Sequence, residues 1–99
     1  MTKAEMSKKW NLDQRFEDMK SSYTIRKEGN DYTVNSVESY LSDSFNPAGE
    51  WAAYERRLKS YKSLKSATNY LVKIVKMNFP ANYLEESDIS ELLEAMIKI

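Results

Sequence analysis

Residues 50–79 contain neither proline nor glycine. A helix interior excludes the first and disfavours the second, so an unbroken run of this length predicts helix. Asn46 is a good N-cap and Pro47 suits the first helical position, while Phe79-Pro80 ends the run. The sequence therefore predicts an amphipathic, basic helix from Pro47 to about Asn78. Continuous, it would extend ~45 Å at 1.5 Å per residue. A globule of this size has a radius of gyration of only ~13 Å. Such a helix must break, protrude or lie buried against a partner.

Heptad positions sharpen the choice. Trp51, Tyr54, Leu58 and Tyr61 fall at successive a and d positions, and Val72 and Val75 resume the frame. Between them the seam is polar, at Lys65 and Thr68. A kink near 65–69 follows, splitting the element in two. The competing expectation is one long helix with a polar register-setting layer in an oligomer.

Other segments have shorter signatures. Thr2 with Glu5 has the form of a capping box, and Met6, Trp10, Leu12, Phe16 and Met19 follow at helical spacing, giving a helix over 3–20 with a break point near Asn11–Asp13. Tyr23–Arg26 and Tyr32–Val34 alternate around Gly29-Asn30, which predicts a short β-hairpin over about residues 22–34. Asn35 with Glu38 reads as a further cap. Val37, Tyr40, Leu41 and Phe45 then form a short amphipathic helix that stops before Pro47. Near the C-terminus, Ser87 or Asp88 caps a helix whose apolar stripe is Ile89, Leu92, Leu93, Met96 and Ile97. The expected fold is one α+β domain over 1–99, predominantly α-helical: a small helical bundle with one short hairpin.

With 41% hydrophobic and 12% aromatic residues, the chain has material for a core. It has no Cys and no His, so thiolate chemistry and the commonest general base and metal ligand are absent. There is no Ser-X-X-Lys, no Gly-X-Ser-X-Gly and no glycine-rich phosphate loop. The acidic clusters Glu17-Asp18 and Glu85-Glu86-Ser87-Asp88 lack the spacing of a calcium loop. No catalytic residue, cofactor or metal is expected. The N-terminal segment lacks the apolar core of a signal peptide and no apolar run is long enough to span a membrane, which gives a cytoplasmic address with no membrane partner.

Net charge is zero but unevenly spread. Residues 50–78 carry seven basic and two acidic groups, and residues 79–99 carry one basic and five acidic. On the predicted helix Arg56, Lys59, Lys62, Lys73 and Lys76 share one face, long enough to meet several phosphates, and Tyr70 beside them could stack on a base. A solvated lysine coat competes with that reading, because nucleic-acid-binding domains of this size are usually basic overall. The opposite face, with Trp51, Tyr54, Leu58 and Tyr61, suits a protein interface or a core against Phe45, Leu92 and Met96. The edge of the 23–34 hairpin offers a further docking surface by strand addition.

No segment has a helix-turn-helix, zinc-finger or RNA-binding signature. Small size, no Cys or His, and abundant Lys, Ser, Asn and Tyr are common among accessory proteins of bacteria and their phages. The sequence reading is a non-enzymatic protein-binding module, a small inhibitor or adaptor or a homo-oligomer, acting through the face of Trp51, Tyr54, Leu58 and Tyr61. Its alternative is a sequence-nonspecific nucleic-acid binder using Arg56, Lys59, Lys62, Lys73 and Lys76.

Overall fold

From Glu28 to Glu55 the chain has six acidic residues and no basic one, and from Arg56 to Leu84 seven basic residues and no acidic one. The fold lays these stretches against each other. The computed structural model describes the backbone of residues 2–42 and 50–99 and the side chains of 2–39 and 53–99. Its elements are α1 (Lys3–Trp10), α2 (Leu12–Met19), β1 (Tyr23–Glu28), β2 (Asp31–Ser42), β3 (Glu50–Tyr61), α3 (Leu64–Met77) and α4 (Glu86–Met96). The strands form one antiparallel sheet in the order β1-β2-β3.

This corrects the expected architecture. The protein has four helices beside a three-stranded sheet, in place of a predominantly helical bundle with a single hairpin. The run expected to be one helix is strand over Glu50–Tyr61 and helix over Leu64–Met77. The segment after Asn35, read as a short helix, continues β2 to Ser42. The kink expected near 65–69 is absent, because those residues lie inside α3. Asn46, Pro47 and Phe45 lie outside the described residues.

β3 overrides its own local preference. Ala, Glu, Arg and Leu are good helix formers, but strand propensity depends on cross-strand neighbours and yields to them. The pairing of β3 with β2 sets four ion pairs in one register: Arg56–Glu38 at 2.9 Å and, just past the strand, Lys62–Asp31 at 2.7 Å reach β2, while Glu55–Arg26 at 2.8 Å and Arg57–Glu28 reach across it to β1. Exposed pairs contribute about 0–1 kcal/mol each, so together they select register more than they add stability. Between Val34 and Asn35 the register shifts: Val34 faces Lys59 and Asn35 faces Arg57, leaving Leu58 as the extra residue of a bulge.

Ser63 then stops the strand and starts α3, its hydroxyl accepting the Ser66 N–H at 3.2 Å. Ala67, Leu71 and Val75, spaced at i, i+4 and i+8, are buried on the inner side of α3. They join Leu12, Met19, Ile25, Val34, Phe79, Tyr83, Leu92 and Met96 in the core. Of the helix-packed strand positions, Ile25 and Val34 pair across β1 and β2.

The remaining elements close this layer. Thr2 caps α1 through the Glu5 N–H, and Asn11 at φ +52° turns the chain between α1 and α2, a conformation Asn tolerates better than most residues. Glu85, rather than Ser87 or Asp88, is the N-cap of α4, and its N–H donates to Asp88 Oδ2 at 3.0 Å. After α4, Ile97 bridges Ile25 in parallel and the Lys98 N–H donates to the Ile25 carbonyl at 2.8 Å, which covers part of the β1 edge. β3 forms the other edge, blunted by its charges and bulge.

Leu71 and Leu64 occupy the same helix with opposite environments, 0% and 37% exposed. Leu71→Ala is expected to lower unfolding free energy by about 2–5 kcal/mol in urea titration. Leu64→Ala should change it by less than about 1 kcal/mol. Equal losses would contradict the assigned packing face.

Candidate nucleic-acid interface

Strand pairing sorts the β3 side chains. Tyr54, Arg56, Lys59 and Tyr61 pair with Glu38, Ser36, Val34 and Tyr32, so they lie on the side of the sheet that Val34 presents to the helices. Glu55 and Arg57 pair with Val37 and Asn35 on the opposite side. Simple alternation would put Arg57, Lys59 and Tyr61 on one face. The bulge at Leu58 separates them and turns Lys59 and Tyr61 towards α3.

The side carrying Glu55 and Arg57 is internally satisfied. Thr24, Thr33 and Asn35 are buried there, and the Asn35 amide donates to Thr24 Oγ1 at 3.3 Å and Thr33 Oγ1 at 3.2 Å. Thr24 Oγ1 donates in turn to Glu55, and Arg26 Nε–H donates to both oxygens of that carboxylate, at 2.9 and 2.8 Å. The Arg26 guanidinium, and after it the Thr24 hydroxyl, hold the Glu55 carboxyl below the usual glutamate range. No buried side-chain polar atom lacks a partner among the described residues. This network binds the sheet together through groups that already have partners.

The α3 side differs. Lys59 Nζ sits 5.5 Å from the Tyr61 ring centre and 5.6 Å from that of Tyr70. The two rings are 5.8 Å apart and tilted by 49°. With Ser66, Asn69 and Lys73 they line an open depression of about 310 Å³ where β3 meets α3. Ser66, Asn69, Tyr70 and Lys73 lie in the first three turns of α3, so Ser63 as the cap sets their position relative to β3. Lys76 lies one further turn along, beside Phe79, Pro80 and Leu84.

The predicted basic residues are therefore divided in two. Arg56 and Lys62 are held by Glu38 and Asp31. Lys59, Lys73 and Lys76 make no ion pair among the described residues, and Lys65 joins them as a further unpaired exposed lysine. The predicted aromatic face is dispersed. Tyr54 is exposed and donates its hydroxyl to Glu38 at 2.6 Å, Leu58 sits half-buried at the bulge, and Tyr61 joins the edge of the core. Trp51 pairs with Leu41 in the backbone, and its side chain lies outside the described residues. Ser66 and Asn69, which helical periodicity marks only as polar interruptions of a seam, become rim groups of the depression. No sequence signal placed them there, because the strand that faces them was read as helix.

Among the described residues no group of His, Cys, Asp or Glu is placed to hold a metal ion, and no helix is long and apolar enough to cross a membrane. Comparisons with protein-family models, curated proteins and solved structures gave no match, so a functional reading rests on this geometry.

The lowered Glu55 pKa has a consequence for stability. A depressed carboxylate contributes stability that is complete above its unfolded value, about 4.3, and is lost as pH falls through the folded value. The wild-type melting temperature is therefore expected to fall on acidification below about pH 5 more steeply than that of Glu55→Gln. Parallel acid limbs in thermal scans would contradict the role given to Arg26 and Thr24.

Proposed function

We propose that the protein is a non-enzymatic module that binds nucleic acid without sequence specificity through Lys59, Lys73 and Lys76 and the two tyrosines between β3 and α3. The observation that supports this is the sorting of bases by the sheet. Arg56, Arg57 and Lys62 are neutralised by cross-strand acids, while Lys59, Lys73 and Lys76 are not. An unbalanced cluster on a chain of zero net charge is a local field, and a polyanion is the ligand such a field attracts. Phosphate contacts of this kind carry no base information, consistent with lysine rather than arginine on the surface.

Three lysines neutralising single-strand phosphates give a slope of about −2 in log affinity against log salt. Fluorescence anisotropy with a labelled oligonucleotide should return that slope at low ionic strength. The double charge reversal Lys59→Glu with Lys73→Glu should abolish binding without lowering the melting temperature appreciably. Undetectable or salt-independent binding of the wild type would sink the reading.

A protein partner on the β2–β3 ribbon is the second reading. Past the end of β1 the two strands continue together, and Ser39, Ala53, Tyr54 and Glu55 are exposed on its two faces. Two-stranded ribbons are marginal alone, which favours a covering surface. A second copy would appear in sedimentation velocity as a concentration-dependent dimer that Tyr54→Asp dissociates. A monomer at all concentrations removes the homo-oligomer.

A further inference from the structure

The geometry points to a single-strand site that takes one nucleotide base against Tyr61 and Tyr70, with its flanking phosphates on Lys59 and Lys73. This rests on the nucleic-acid reading above and specifies its ligand.

Three observations converge on it. The first is extent: the depression is open, and its aromatic lining is two tyrosine rings, a surface that matches one base rather than a run of bases. The second is ring geometry. Tyr61 and Tyr70 are both half-buried, pack against the core, are tilted to each other by 49° and both line the depression. A base in a duplex has both faces stacked on neighbours and cannot offer one to a tyrosine, whereas an unpaired base can. The third is the pattern of charge. Lys59 stands over both rings and Lys73 stands on the rim, so cations flank the aromatic surface from the strand side and the helix side.

Ser66 and Asn69 supply the polar rim. The Asn69 side chain is exposed and makes no hydrogen bond among the described residues, leaving both its amide donors and its carbonyl acceptor for a base edge. Ser66 Oγ accepts from Ser63 Oγ at 2.9 Å and retains its own donor. One amide and one hydroxyl meeting a base that can rotate give contact without strong discrimination among bases. Lys59 must leave the ring faces when the base arrives, and a phosphate beside the base gives its ammonium a better partner than a ring quadrupole.

The test compares a thymidine octamer, a uridine octamer, an abasic deoxyribose-phosphate octamer and a 12-base-pair duplex on the full chain, by anisotropy at low salt. The octamers with bases should bind about tenfold or more tightly than the abasic strand, and more tightly than the duplex. Tyr70→Ala should bring both down to the abasic affinity. Tyr70→Phe should keep the preference for bases, which guards against a loss caused by unfolding. Equal binding of abasic and base-bearing strands by the wild type overturns the base site and leaves lysine-phosphate contact standing. Tighter binding of the duplex overturns it as well. No binding of any probe overturns this inference and the nucleic-acid reading together.

Discussion

The pairing of β2 with β3 is the interaction on which the rest depends. It folds a stretch without bases onto a stretch without acids, and the register it adopts brings Glu28, Asp31 and Glu38 to Arg57, Lys62 and Arg56. No single exposed pair is strong. Their shared register is what matters, because a slip by one residue would move every side chain to the other face and separate the partners. Once β3 is placed, Ser63 starts α3 over the sheet, and Ala67, Leu71 and Val75 bury the layer that Ile25 and Val34 expose.

Elements held by local signals were legible in the sequence. The Thr2 cap, the turn at Asn11, the Gly29-Asn30 link between β1 and β2 and the apolar stripe around Leu92 and Met96 follow from residues within a few positions of one another. β3 was not legible. Residues 50–61 have helix-forming composition and no proline or glycine after Gly49, and the reason they form a strand lies in β2. The same long-range dependence hid the end of β2, where Val37, Tyr40 and Leu41 match helical spacing while the segment pairs with β3. Ser63, the cap of α3, was not read as one, because the residues on both sides of it were taken for the interior of a single helix.

The candidate site shows the same division. Five bases that a helix would align on one face are split by the strand pairing and the bulge at Leu58. Arg56 and Lys62 become structural, while Lys59 turns to meet Tyr70 across the β3–α3 corner, where Lys73 lines the depression. Charge composition indicated a basic region; only the register says which bases are already satisfied. The aromatic residues divide likewise, with Tyr61 at the core edge and Tyr54 bound to Glu38 on the ribbon.

Structural and ligand-facing bases can be told apart by two substitutions measured in the same way. Stability and oligonucleotide affinity are determined for Arg57→Ala and Lys73→Ala under identical low-salt conditions. Arg57, paired with Glu28, should lower the melting temperature and leave affinity within about twofold. Lys73, unpaired on the rim, should leave the melting temperature unchanged and weaken binding several-fold. Equal loss of affinity in both variants would contradict the division of bases by strand pairing.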